Sequence, residues 1–479
     1  MNPTSSALLN GANYHVQEEA DFVIVGSGAT GATAARWLAA AGKSVVIVEE
    51  GGLAEPAKGA GFDALKNLYR DGGAAWTEGA DRMTLLQGRV LGGSSFVSGS
   101  VHVPLPQETW NAWAAQDPVW KARIPWPELE AAHERMDREL AVQKTPRTLL
   151  REDAEDLLRA LPAEAMPTWR GAPGCVGAGR CHQGCPHAAK SGANLTLLPL
   201  AMQKQTRIHT QCRIDRVEFQ GRRATGVRGK FPGGWRFHAH AREAVIVAAG
   251  AIETPALLLR SGLDNVGQNW SCHPGLTVSA QWNRPLDPHG ATRSVDLKGE
   301  GFDIETQRMP DAWRRLTLPG LGQSLTERAN LLEEIATWSV RMTPRARGRV
   351  RLQPLTNRPI VQFSLLPEDR ALLGRAIAKT LEAMLLSGAL QVFPNVQGWP
   401  EAVTSLRQAA DLAKLPIPPG ATPLFTTQIF GGVPTDTRGQ VIGTERLIAL
   451  DASTLPGPPG VPPLSLLHAM ATVVAQKWV

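Results

Sequence analysis

Residues 21–52 read DFVIVGSGATGATAARWLAAAGKSVVIVEEGG, and this stretch constrains the chain more than any other. Residues 22–25 are an apolar run of strand length that leads into Gly26-Ser-Gly28-Ala-Thr-Gly31 and an Ala-rich helix closed by Gly42. A second apolar run, 44–48, ends in Glu49. Each piece answers a physical demand. Gly26 permits the tight turn, Gly28 lets a pyrophosphate approach the backbone, and Gly31 lets helix and strand pack closely. The helix N-terminus offers unpaired N–H groups and a positive dipole end to phosphates. Glu49, about twenty residues past Gly28, is placed to accept a hydrogen bond from a ribose hydroxyl. An acid there disfavours a 2′-phosphate, so the expected ligand is FAD or NAD rather than NADP.

The chain has 479 residues, and a prior of roughly 100–200 residues per domain suggests two or three domains. Its net charge of +6 is spread along the chain rather than gathered in an arm. The most basic run, 345–351 (RARGRVR), alternates with small residues and reads as a strand edge or surface loop, so no nucleic-acid partner is expected. No stretch reaches the roughly 18 apolar residues that a transmembrane helix needs. Residues 1–20 carry no basic, apolar leader pattern, which points to a cytoplasmic enzyme. Cys175, Cys181 and Cys185 fall close together, whereas Cys212 and Cys272 stand apart; in a reducing compartment such a trio suggests a metal or cluster rather than disulfides.

Further along, 88–95 (GRVLGGSS) is a glycine-rich loop whose N–H groups suit a cofactor. Trp110, Trp113, Trp120 and Trp126 read as core and loop anchors. Residues 244–249 (AVIVAA) form a strand opening into Gly250 and a Leu-rich helix, as if the first nucleotide unit resumed after an insertion. Residues 270–420 change character, with strand-like pieces at 337–342, 350–352 and 360–365 and a helix over 367–387. The tail returns to the pattern of the opening unit, with a strand at 447–450, then Asp451, then a last helix over 463–477 with Pro at its start.

Taken in order, VIVGSGATGATAARWLA with IVEEGG, GRVLGGSSFVSGS, VIVAAGAIETPALLLRSG, NVGQNWSCHPG and LIALDASTLPGPPGVPPLSLLHAMA resemble the glucose–methanol–choline oxidoreductase family over nearly the whole length. The resemblance implies an α/β fold: a discontinuous Rossmann-type FAD-binding domain (17–103, 195–266 and 424–479) with an inserted α+β substrate-binding domain on an antiparallel sheet (104–194 and 267–423, including the cysteine loop 171–199). It implies FAD held by Gly26, Gly28, Gly31, Glu49, Gly92, Gly93, Ser94, Ile214, Ala249, Gly250, Asp451 and Ala452. The run Cys175-x5-Cys181-x3-Cys185-Pro186 is similar to the loop of bacterial FAD-dependent sugar and polyol dehydrogenases that carries a [3Fe–4S] cluster. By that resemblance the three cysteines would ligate a cluster passing electrons to an outside acceptor. The partners implied are a small subunit and a cytochrome, with a periplasmic address by co-export as the alternative to the cytoplasm. Other family members keep cysteines there without metal, and both readings stand at this point.

The chain departs from the family at its acid–base pair. The His of the family's His-x-x-Gly motif is replaced by Gln428 (TTQIFGG), and its partner before the last helix by Pro462 (GVPPLSLLHA). An amide orients a hydroxyl but does not take its proton. His468, in the last helix, is the candidate substitute base if it leans back toward the flavin, with a structural role as the alternative; His273, His182 and His187 are expected to serve outside the reaction centre. Three functions follow: a flavin dehydrogenase taking hydride from a substrate CH–OH or similarly activated C–H, a family enzyme of altered chemistry in specialised metabolism, and a non-redox lyase or silent partner.

Overall fold

The computed structural model describes residues 7–54 and 61–479; part of the leader reading falls outside them. One sheet carries the nucleotide unit. Its strands run in the order Leu8–Asn10, Thr206–Thr210, Val45–Val48, Val16–Val25, Arg236–Val247, Arg223–Lys230 and Arg213–Gln220, with Leu447–Ala449 also paired to Arg236–Val247. Pairing is parallel from Leu8–Asn10 to Arg236–Val247 and antiparallel in the last two strands.

Both faces of the parallel part are covered, which is why its strands read as continuous apolar runs. Phe22, Ile24, Val45 and Ile47 pack under the helices Ala29–Ala40 and Leu464–Gln476. Val23, Val25, Val46 and Val48 pack on the other side against Leu257 and Leu258 of the helix Gly250–Arg260. Alanines 32, 34, 35 and 39 lie fully or almost fully buried, and their small side chains let the first helix sit close to the sheet.

The second sheet runs Ala75–Trp76, Met83–Leu85, Leu424–Thr426, Gly275–Gln281, Ile335–Met342, Phe302–Gln307, Arg293–Gly299 and Ala165–Pro167, with Gln391–Phe393 also on Gly275–Gln281. Its four long strands are antiparallel. One face is apolar: Leu276, Val278, Ile304, Trp338 and Val340 share a core with Leu373, Ile377 and Leu381 of the helix Pro367–Leu386. The expected strand at 337–342 and the helix over 367–387 are thus present, and the pieces at 350–352 and 360–365 fall on Gly348–Leu352 and the shorter Pro359–Gln362, which pair with each other outside this sheet.

The second sheet takes in strands from outside residues 104–423. Met83–Leu85 and Leu424–Thr426, from segments read as cofactor domain, pair with each other inside the second sheet. A few residues later Ile429–Phe430 pairs with Gln268–Cys272 in a separate four-stranded sheet. Gln428 lies at this crossing.

Candidate functional site

A cavity of about 780 Å³ connects the glycine turn of the first sheet to the second sheet. The three fingerprint glycines play different parts there. Gly26 has φ +103°, and a Cβ on it would lie 2.4 Å from Ala248 O. A Cβ on Gly31 would lie 2.1 Å from Gly26 O, so this glycine serves packing and does not line the cavity. A Cβ on Gly28 meets nothing within 4 Å: the space beside it is open. The helix beginning at Ala29 has no side-chain cap and no acid in its first turn, and Ala29 and Thr30 line the cavity. An uncapped helix end beside open space fits a diphosphate.

Glu49 closes this cradle. Its carboxylate accepts from Ser27 N–H (3.0 Å), Ser27 O–H (2.7 Å) and Gly51 N–H (2.7 Å) while lining the cavity. Burial raises its pKa against the pull of those hydrogen bonds. A carboxylate has about four acceptor sites, which leaves Glu49 able to take a ribose hydroxyl as well. Gly92 N–H donates to the Ser27 hydroxyl oxygen at 2.9 Å, tying the second glycine loop to the first, and Gly93 and Ser94 line the cavity beyond it. Asp451 accepts from Gly250 N–H (2.8 Å) and Ser453 N–H (2.7 Å), so it fixes the start of the helix Gly250–Arg260; burial raises its pKa too. Ile214, Ala249, Gly250, Asp451 and Ala452 all line the same cavity. Of the expected FAD residues only Gly31 and Gly92 stand behind its wall, and the set fits the cofactor.

Gln428 and Pro462 also line the cavity. Gln428 Oε1 lies 2.6 Å from His273 Nδ1, and Gly460 N–H donates to His273 Nε2 at 3.3 Å. Burial pushes the His273 pKa down to about 3, and the Arg341 charge adds to the effect. His273 thus lines the cavity as a neutral ring in contact with Gln428, a placement its sequence context did not suggest. His182 lines the cavity as well, its Nδ1 2.9 Å from Val97 O.

His468 is not brought to the cavity. Its Nδ1 lies 2.8 Å from Thr33 Oγ1 and its ring stacks on His102 at 5.8 Å, inside the packing between the first and last helices. Burial lowers its pKa to about 4. The Leu464–Gln476 helix turns this position toward the first helix rather than toward the ligand space, and His468 drops out as a substitute base.

The cysteine loop differs from its reading as a cluster site. Among the described residues no set of three His, Cys, Asp or Glu side chains is gathered to hold a metal. Arg170 donates instead to the sulfurs of Cys175 (3.6 Å) and Cys181 (3.3 Å), and its Nε donates to Gly99 O at 3.0 Å. Cys185 Sγ accepts from Ala189 N–H at 3.4 Å. Although burial alone would raise it, the Cys181 pKa is lowered by Arg170 and Lys190. Lys190 is itself buried and donates to Phe96 O, Ser98 O (3.0 Å) and Cys181 O (3.2 Å). Arg170 thus bridges two of the thiols, and Arg170 and Lys190 tie the loop to the cavity wall at Ser98 and Gly99. The thiols do not fit a [3Fe–4S] cluster.

Sequence reasoning also missed the polar face of the second sheet. Arg293, Glu305 and Arg341 line the cavity although they stand on three different strands. The available signal was alternation: Asp303, Glu305 and Gln307 follow one another at period two, as do Ser339 and Arg341.

The GMC oxidoreductase family profile matches residues 65–275. A GMC-type oxidoreductase of Sinorhizobium fredii, itself uncharacterized, is 31% identical, covering 97% of this chain and 95% of the relative. Another uncharacterized GMC-type oxidoreductase, from Mycobacterium tuberculosis, is 32% identical over 96% of this chain and 76% of its own length. The pyridoxine 4-oxidase structure from Mesorbium loti superposes with a TM-score of 0.70 at 18% identity, covering 96% of this chain and 99% of that one. That likeness is one of fold. Among the described residues no helix is long and apolar enough to cross a membrane.

Proposed function

The chain belongs to the GMC oxidoreductases, FAD-dependent enzymes, and from that premise we propose that it oxidises the CH–OH carbon of a small-molecule substrate. The observation that carries this reading is that one continuous cavity is lined by the Gly28 cradle, by Gln428 and Pro462, and by the polar sheet face. FAD, when bound, supplies the acceptor for a hydride leaving that carbon.

The chain's own residues hold the substrate and shape the chemistry. Gly460 N–H donates to His273 Nε2, so the ring proton sits on Nδ1 and is donated to Gln428 Oε1. The Gln428 NH₂ is then left to donate to the substrate oxygen. Pro462 has neither a side-chain base nor an N–H. Neither residue removes a proton, and a positioned base ordinarily contributes about 10² to 10⁴ in rate. The substrate class this favours loses its hydroxyl proton readily: a lactol, an aldehyde hydrate, or an alcohol activated by its neighbour. No electron step is assigned to the cysteine loop, whose Arg170 and Lys190 contacts support the cavity wall.

The test is anaerobic. Purified protein should release FAD on denaturation, and its flavin absorbance should bleach when mixed in a stopped-flow instrument with lactols, hydrates or activated alcohols. A flavin that dithionite reduces but no member of those classes does would overturn the reading in favour of a non-redox role.

A further inference from the structure

Two cations are buried where the fold supplies no carboxylate to balance them. Arg170 and Lys190 are 3% and 8% exposed. Among the described residues neither is ion-paired with a carboxylate, and the negative groups acting on Lys190 are the sulfurs of Cys181 and Cys185. A buried charge without a counter-charge is costly, so the site favours anions, and thiolates are the anions within reach. Arg170 Nη1 lies 3.6 Å from Cys175 Sγ while its Nη2 lies 3.3 Å from Cys181 Sγ. Gly177 (φ +73°) and Gly179 (φ +63°) turn the chain between the two cysteines, so both sulfurs meet one guanidinium. Cys212 and Cys272 differ: burial raises their pKa and keeps them protonated.

We propose that Cys175 and Cys181, rather than ligating a cluster, are a thiol pair that a hydroperoxide oxidises to a disulfide, loosening the cavity wall. Cys175 is half-buried and Cys181 buried, so the oxidant meets Cys175 first. The Cys175 thiolate attacks a peroxide oxygen; an S–O bond forms as the O–O bond breaks, giving a sulfenic acid and hydroxide. The sheltered Cys181 thiolate then attacks the Cys175 sulfur, the S–S bond forms, and the sulfenic oxygen leaves as a second hydroxide. Each hydroxide takes a proton from solvent, so two thiolates are oxidised as one hydrogen peroxide becomes two waters. The step stands apart from turnover at the flavin.

The disulfide is uncharged and leaves both cations buried without counter-ions. Those cations hold the wall: Arg170 donates to Gly99 O at 3.0 Å, and Lys190 donates to Phe96 O and to Ser98 O at 3.0 Å. His182, beside Cys181, adds a contact from its Nδ1 to Val97 O at 2.9 Å. Val97, Ser98 and Gly99 line the ligand cavity, so oxidation of the pair lowers affinity for FAD.

The FAD-loaded protein, without substrate, is treated with hydrogen peroxide, blocked with a thiol reagent and mapped by non-reducing peptide mass spectrometry. FAD affinity is titrated by flavin fluorescence before treatment, after it, and again after dithiothreitol. A Cys175–Cys181 link should form while Cys212 and Cys272 stay reduced, and FAD should bind roughly two- to tenfold more weakly until the reductant restores it. Cys175→Ser should abolish both the link and the affinity change, whereas Cys185→Ser should keep both. A link made chiefly through Cys185, over-oxidation without a link, or a Cys175–Cys181 link that leaves FAD affinity unchanged would overturn the inference. With no substrate added, none of these outcomes depends on the reaction proposed above.

Discussion

His273 Nδ1 stands 2.6 Å from Gln428 Oε1, and that contact decides which end of the amide faces the ligand. With Gly460 N–H donating to Nε2, the ring has one proton to give, and it goes to the amide oxygen. A residue that in this family would remove a proton is here turned to offer one. Replacing Gln428 by Ala should slow flavin reduction on the true substrate by about 10²-fold, the usual cost of losing one preorganised donor at a developing charge. Gln428→Glu keeps an acceptor for His273 but puts a carboxylate where the NH₂ was, so its reduction rate should rise with pH where the parent's is flat. Full turnover in the Ala variant would remove Gln428 from the reaction.

The same geometry makes His273 a positioning residue. Its pKa near 3 keeps it neutral at ordinary pH, so the rate of flavin reduction should show no step near the usual histidine range. His273→Phe releases the amide to turn, and kcat should fall several-fold or more while substrate affinity changes little. A loss confined to affinity would assign His273 to binding.

The glycine turn yields a contrast between two neighbouring positions. Gly28 has room for a Cβ, whereas the same atom on Gly31 would strike Gly26 O at 2.1 Å. Gly28→Ala should therefore fold with near-parental thermal stability yet bind FAD at least about tenfold more weakly, some 1.4 kcal/mol. Gly31→Ala should lose stability even when FAD is saturating. Flavin fluorescence titration and calorimetry separate the two, and equal behaviour would break the assignment of one glycine to phosphate approach and the other to packing.

What could be read from sequence and what could not differ by the range of the contacts involved. Gly26, Gly28, Gly31 and Glu49 belong to one local strand–turn–helix–strand unit, so their order alone gives their placement. Asp451 was legible because it ends a strand beside a second such unit. His468 misled because a helix start fixes distance along the axis but not which neighbour a side chain meets, and here that neighbour is Thr33, far earlier in the chain. Arg293, Glu305 and Arg341 went unread because alternation reveals a two-faced strand without saying what covers its polar face. The cysteine spacing suggested a cluster because nothing local announces that Arg170 reaches between Cys175 and Cys181.

That arginine makes the cysteine loop testable. Protein prepared without oxygen should contain FAD with iron and acid-labile sulfide near zero. Arg170→Ala removes the donor shared by the two thiols and the bond to Gly99 O, so it should lower thermal stability and, by taking away a cation that lowers the Cys181 pKa, slow the thiolate-dependent modification of Cys181 in the folded protein. Stoichiometric iron that resists chelation would restore the electron relay and displace the guanidinium from this role.

His468 provides the last test, through pH rather than rate. Its folded-state pKa, about 4 because the ring is buried, lies below the ordinary unfolded value near 6.5. Between those values the unfolded chain binds a proton that the folded chain refuses, so acidification favours unfolding. The contribution is fully present above about pH 6.5 and is lost as pH falls, by up to about 1.4 kcal/mol per pH unit. Other buried groups titrate in the same range, among them Asp137, whose pKa is raised to about 6 with the opposite sign; comparison with a His468→Phe variant cancels them. Denaturant midpoints taken from pH 7.5 to 4.5 should show the parent losing ground steadily to the variant, while flavin reduction by the two proteins remains within a few-fold. A large loss of reduction rate in the variant, with stability parallel to the parent's at every pH, would return His468 to the reaction centre.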